Sequence, residues 1–421
     1  MRLKTRFSLI GVGIVLFLIA TPLLVLYARG FKFDFNTRQI VKTGALVVKT
    51  EPTKADFFLN DKKQADPTPS TIRFLLPGDY TVRVEKSDYQ PWTKRFSLRS
   101  QLVTWAAADR DTITLFYDQI KLSKSWNVLQ ASISKLGDEI VFLDENQKAS
   151  SINTVSGDVT SLGGIAKNLL AQIGPGTSVV WQNSSQVFEL FQSRSKWGLT
   201  DKQITQIQKA ETNGNHSVAL VGTDLLSLDN ASPVVLAKSV NTFTLDGNNL
   251  WYTQGLQLKQ LNLNTDATQI ISSSVPASVT SQLIRGNNQI YAILDQNLYV
   301  LNDSFEKIYG PVNSANFDPI SKQLMFTNSN EIWLYDSSNK TTQLILRSSS
   351  EIKNPSLNWA TGYIFFLNEN KIKAIEVDGR DHRNIYTITD DIGIGSSFAV
   401  SADGKTLYTF NNSLINQYEI R

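Results

Sequence analysis

The chain has no cysteine and only two histidines, His216 and His382, in 421 residues. Without cysteine there are no disulfides, thiolate zinc sites, iron–sulfur clusters or cysteine nucleophiles. Two histidines so far apart argue against a multi-His metal site or a His-dependent relay, so neither a catalytic constellation nor a cofactor is expected. Excess charge is scarce too. Lys and Arg number 41 against 38 Asp and Glu, and three of the cations (Arg2, Lys4, Arg6) lie in the first six residues. The remainder balances, which argues against the basic face that nucleic acid requires. What is present is 41% hydrophobic and 19% charged residues, a core-forming composition. At about 150 residues per domain the length allows two or three domains, or one large all-β unit with a small companion.

Residues 7–27, FSLIGVGIVLFLIATPLLVLY, carry no charge. As a helix rising 1.5 Å per residue they span roughly 30 Å, the thickness of a bilayer's hydrocarbon core. A cleaved signal peptide is the competing reading. It would have a shorter apolar core and a small-x-small site, whereas Leu26-Tyr27-Ala28 puts a large residue where a small one is needed. Pro22 predicts a kink and not a break. Arg2, Lys4 and Arg6 on one flank nearly tie with Arg29, Lys32 and Arg38 on the other. The expectation is a single-pass anchor with residues 1–6 as a cytoplasmic tail and the bulk outside the cytoplasm. In the juxtamembrane segment 28–43, Phe31, Phe33 and Phe35 join Tyr27 as an aromatic belt, or form one face of a short strand.

From Gly44 the pattern alternates with period two. Strands are expected over 45–50, 55–60, 71–76, 80–85 and 94–98, separated by Gly/Pro turns, and together they predict a small β-sandwich over 44–110. The turn residues follow a recognisable order: Pro52 with Ala55, Asn60-Asp61, Thr68-Pro69, Pro77-Gly78-Asp79-Tyr80 and Ser87-Asp88-Tyr89. This frame resembles the PEGA domain. It departs at the eponymous turn, where Thr53-Lys54 replace the middle Glu-Gly. The resemblance implies a binding or spacer module of surface-exposed and envelope proteins, with no catalytic residues. Pro52, Ala55, Thr68, Pro69, Pro77, Gly78, Tyr80 and Tyr89 would then be structural.

Beyond residue 120 a short apolar run recurs. It begins at Ile140, Val179, Val218, Leu250, Ile290, Leu324, Tyr363 and Leu407, at spacings of 32 to 44 residues. Polar turns precede most runs and a second alternating strand follows. No run has a helical period. A period near 40 with several strands per repeat predicts a β-propeller over 111–421. Eight blades are expected, with seven if the repeat at Val179 or Val218 is not a full blade. The strand over 111–117 is expected to complete the last blade. The turns Ser401-Ala402-Asp403-Gly404-Lys405 and Glu376-Val377-Asp378-Gly379-Arg380 resemble those of TolB-type propellers, most of which are binding scaffolds.

There is no Gly-x-Ser-x-Gly elbow and no Gly-rich phosphate loop. Asp390-Asp391 reads as a solvated turn, since neighbours on a strand face opposite ways. Trp181, Trp251 and Trp333 fall inside strand patterns and read as core. Trp197, between Lys196 and Gly198, is the best candidate for an exposed ligand contact. The expected partners are the lipid bilayer, through 7–27, and an envelope protein or glycan held by the propeller. The alternative is a propeller hydrolase or lyase acting on envelope polysaccharide or peptide. Carboxylates with Arg or Tyr converging on a central channel would mark it.

Overall fold

The computed structural model describes all residues except 1–2, 36, 108–109, 134–138, 173–178, 184–187, 191–195, 198, 201–202, 204–205, 213–214, 231, 279–280, 287–288, 391–396 and 412. For 3–10, 132–133, 162–172, 179–183, 188–190, 196–197 and 212 it describes the backbone only. The chain is mostly β, with one apolar N-terminal helix, and divides into two compact units. The first comprises Met1–Asp118 and the segment Asp378–Asn384, and the second the remainder.

The first unit begins with the helix Leu3–Ala28, which runs on through Pro22. None of its stretch Gly11–Ala28 is buried, and it is apolar enough to cross a membrane. A hairpin of Phe31–Asp34 with Gln39–Lys42 follows. Two sheets then share one core. One places Gly44–Val48 between Val103–Trp105 and Ser70–Leu75; the other runs Lys62–Lys63, Asp56–Leu59, Gly78–Glu85, Trp92–Leu98. Leu46 and Val48 of the first meet Phe57, Val82, Val84, Trp92 and Phe96 of the second, all nearly or wholly buried. Alternating in-and-out burial along Trp92–Leu98 is what a strand with one covered face requires.

Ile113–Thr114 pairs in parallel with Thr50–Glu51. Ile113 and Leu115 are buried in this same core. The segment 111–117 therefore does not complete the last sheet of the second unit, and the unit boundary falls at Asp118, not at residue 110.

The second unit repeats one motif. Four-stranded antiparallel sheets in chain order begin at Ile207, Val240, Ser281, Ser314 and Ile352. Before them lies a seven-stranded sheet. Its long strand Val159–Gln172 pairs first with Lys148–Asn153 and then with Val179–Asn183. The last sheet holds Ser397–Val400, Thr406–Asn411 and Leu414–Glu419. Its fourth strand is Lys121–Asn127, antiparallel to Leu414–Glu419.

All eight recurrent apolar runs lie on inner strands, each paired with a neighbour on both sides. A middle strand covered on both faces is continuously buried, as Ile290–Leu294 and Tyr363–Asn368 are. Neighbouring sheets share cores. Leu220 and Leu225 pack with Phe243 and Tyr252, Leu298 with Phe326, and Leu334 with Phe366. Val128, Ile140, Phe142 and Ile152 of the earliest sheet and its approach pack with Ala399, Tyr408 and Ile415 of the last.

Candidate functional site

The turn frame of the first unit is structural in detail. Asn60 and Asp61, at φ 48° and 61°, form the two-residue connection between Leu59 and Lys62. Positive φ at both positions matches the twist of a tight hairpin, and asparagine and aspartate tolerate it. Thr68 is buried, and its hydroxyl accepts the Ala55 N–H at 3.0 Å and meets the Thr50 hydroxyl. Its own N–H donates to the Ala55 carbonyl and its carbonyl accepts the Lys54 N–H. Thr68 thus satisfies the backbone of the Pro52–Ala55 turn, with Pro69 fixing the strand that follows. Lys54 sits at φ 61°, the region that the family's glycine occupies without strain. Gly78, at φ 150°, follows Pro77 and opens the strand carrying Tyr80, whose hydroxyl donates to the Leu76 carbonyl at 2.9 Å. Tyr89 packs against the Tyr117 ring, centroids 4.6 Å apart. Burial is the main cause that raises the phenol pKa of both Tyr80 and Tyr89.

The same unit holds a buried cation. The Lys94 side chain has no exposed surface; its Nζ donates to the Asp378 carbonyl at 2.8 Å and lies 3.4 Å from that residue's carboxylate. Arg380 grips the carboxylate through Nε and Nη2 and donates to the carbonyls of Trp105 and Ala106 at 3.0 Å each. Burial alone would raise the Asp378 pKa. The Arg380 hydrogen bonds and the Lys94 and Arg380 charges outweigh it, and the net shift is downward. This Asp-Gly-Arg sequence, read above as a propeller turn, belongs to the first unit.

In the second unit, strands Ile207–Thr212, Val240–Asp246, Ser281–Arg285 and Ser314–Asp318 from four successive sheets line a cavity of about 290 Å³. Its charged walls are Lys209, Glu211, Asp246 and Arg285, with Gln282 and Asn316 as further polar groups. Glu211 is almost completely buried. One carboxylate oxygen lies 2.7 Å from Lys209 Nζ, and the other accepts the Leu245 N–H at 2.6 Å. Lys209 also donates to the Phe243 carbonyl at 2.6 Å. This pair joins two neighbouring sheets as well as lining the cavity. Asp246, half-exposed, accepts from Arg285 Nε at 2.8 Å, and the guanidinium lies 5.5 Å from the Trp251 ring centroid. Charge is balanced within the cavity, and both signs reach its surface.

None of these four residues stands out in the sequence. Lys209-x-Glu211 alternates as a solvent-facing strand would, and Asp246 and Arg285 each look like an ordinary strand end. Their spacing of 39 residues, one repeat length, was the available signal.

Trp197 has its backbone in the strand Lys196–Trp197, and its side chain lies outside the described residues. Asp391 does too, whereas Asp390 pairs with Lys371 at 3.3 Å. His216 meets Asp229 at 2.9 Å and His382 meets Asp381 at 2.8 Å, in different units. Among the described residues no three His, Asp or Glu side chains are placed to hold a metal. The Ser401 turn is a hairpin turn: Ser401 Oγ donates to Asp403 and accepts the Thr406 N–H, with Gly404 at φ 70°.

A second carboxylate of the larger unit is unusually well coordinated. Glu331 accepts from Trp333 Nε1 (3.0 Å), Asn328 Nδ2 (2.8 Å), the Tyr309 hydroxyl (3.2 Å) and Arg347 Nε (2.7 Å). The Trp333 bond, with those from Asn328 and Arg347, lowers its pKa.

Residues 43–109 match the PEGA domain family. No curated protein matches the chain. Among solved structures the chain is similar to PorZ, an essential surface component of the type-IX secretion system of Porphyromonas gingivalis. The identity there is 13% over 71% of this chain and 46% of PorZ, at a TM-score of 0.41. The extracellular domain of BT4673 from B. thetaiotaomicron is 15% identical over 72% of this chain and 40% of that one, TM-score 0.40. The computationally designed Ika8 protein is 9% identical, covering 72% and 98%, TM-score 0.46. The chain spans less than half the length of PorZ and of the BT4673 structure. Likeness at this level carries no functional inference. The class that the sequence match defines is a PEGA-domain-containing, mostly β protein with one apolar N-terminal helix.

Proposed function

We propose that this is a membrane-anchored protein of the cell envelope, in which a PEGA domain follows a single-pass helix and the larger unit is an eight-bladed β-propeller of TolB type that binds an envelope protein or glycan. Residues 1–6 lie in the cytoplasm and the chain beyond the helix lies outside it. The observation that carries the reading is the stacking order of the sheets: from the sheet at Ile207 to that at Ile352 each shares a core with the next, and the last, completed by Lys121–Asn127, packs on the earliest. A sheet of this kind cannot bury both faces alone, and a ring of them leaves only short edges. In such a ring the cavity between Glu211 and Arg285 is the binding position.

Glu211 and Asp246 lining one cavity is the specific observation that favours the alternative, a hydrolase or lyase of envelope polysaccharide or peptide. Each carboxylate already has its own cation within 2.8 Å, which suits ligand positioning better than proton transfer. The test is capture from envelope extract and on a glycan array by the full-length protein in detergent, wild type against Arg285→Ala. Capture by the wild type, lost in the variant, supports the reading. Equal capture by both, or none by either, overturns it, and bond cleavage in the captured material would favour the enzyme.

A further inference from the structure

The helix ends at Ala28, where Arg29 and Gly30 donate to the Val25 and Tyr27 carbonyls and Gly30 turns the chain at φ 82°. The hairpin begins at Phe31, three residues after Ala28, so its first strand starts within roughly 10 Å of chain from the helix end. The junction is braced: the Tyr27 ring stacks on Phe74 at 5.0 Å, Lys32 Nζ donates to the Phe74 carbonyl, and the Thr43 N–H donates to the Gly30 carbonyl.

Register settles which side chains share a face. Phe31 opposes Lys42 and Phe33 opposes Ile40, so Phe31, Phe33 and Ile40 lie on one side. Phe35 extends it, its ring 5.1 Å from Phe33 in an edge-to-face contact. These side chains are uncovered: Phe33 is 45% exposed, Ile40 53% and Phe35 84%. Lys42, opposite Phe31, lies on this side, Arg29 and Arg38 flank the hairpin, and Lys32 and the one carboxylate, Asp34, lie on the other side.

We propose that this hairpin is a second membrane contact, with Phe33, Phe35 and Ile40 seated in the headgroup layer and the surrounding cations on anionic lipid phosphates. Two arguments commit the surface to lipid. It continues directly from a helix long enough to cross a bilayer, and its charge is complementary to anionic headgroups. The inference rests on the anchor reading above, and its test separates the two.

Because the chain has no cysteine, single cysteines can carry an environment-sensitive fluorophore without background. Full-length Phe35→Cys, Phe17→Cys and Ile320→Cys proteins are labelled and reconstituted in phosphatidylcholine vesicles with and without phosphatidylglycerol. Phe17 lies in the helix, and Ile320 is an exposed residue of the other unit. The label at Phe35→Cys should be quenched by aqueous iodide roughly threefold less than that at Ile320→Cys, and more weakly still with phosphatidylglycerol present. It should also be quenched by brominated lipid. Iodide quenching equal to that at Ile320→Cys, while Phe17→Cys is shielded, overturns the hairpin contact and leaves the anchor. Loss of shielding at Phe17→Cys overturns the anchor, and the hairpin contact with it.

Discussion

Asp378 in the smaller unit and Glu331 in the larger are both carboxylates gripped by an arginine, yet their surroundings differ. Asp378 faces a lysine that has no exposed surface, whereas the arginine on Glu331 is two-thirds exposed. For Asp378 burial works against the charge, and ionic partners must overcome it. For Glu331 the largest influence is a hydrogen bond from the Trp333 indole that favours the charge. The contrast separates two uses of one chemistry. In the dry site the carboxylate answers a cation that has nowhere else to go. At Glu331 it gathers donors from its own strand (Trp333), the preceding turn (Asn328) and two other strands (Tyr309, Arg347). A buried cation stripped of its partner is far costlier than a lost hydrogen bond at a rim.

The largest effect is expected from Asp378→Asn, which removes the negative charge facing the buried Lys94. A loss of about 3–5 kcal/mol is expected, read as faster native-state hydrogen exchange along Trp92–Leu98. Unchanged exchange there would erase the distinction between the sites. Glu331→Gln should cost about 2 kcal/mol near neutral pH, because an amide turns a donor toward the Trp333, Tyr309 or Arg347 donors. The folded pKa of Glu331 lies below its ordinary value of 4.5, so its contribution is present above that value and fades as pH falls through the folded one. Urea unfolding at stepped pH should show the gap between wild type and variant closing in acid, and a widening gap would contradict the sign. The smallest effect tests backbone in place of charge. Lys54→Gly, at φ 61°, should stabilise the smaller unit by about 0.5–1 kcal/mol in thermal unfolding. No gain would place the strain elsewhere.

Much of the architecture was legible because burial on two faces forces a continuous apolar run, and those runs mark the middle strands. The PEGA frame was legible because tight turns admit few residue types, as at Asn60-Asp61 and Thr68-Pro69. The completing strand was not. Lys121–Asn127, KLSKSWN, is exposed along almost its whole length, and an edge strand so polar carries no apolar signature. Ile113–Phe116 was apolar for a different reason, since it enters the core of the smaller unit. The cavity was illegible because its charges lie on three strands that become neighbours only once the sheets have stacked. Lys209 and Glu211 are two residues apart, but Arg285 meets Asp246 from another sheet.

The pairing of Lys121–Asn127 with Leu414–Glu419 also sets a clock on biosynthesis. Ser125 and Asn416, hydrogen-bonded in the finished protein, are 291 positions apart. At about 5–20 residues per second a ribosome needs roughly 15–60 s between them. For that interval the early strand is a nascent edge whose proper neighbour does not yet exist.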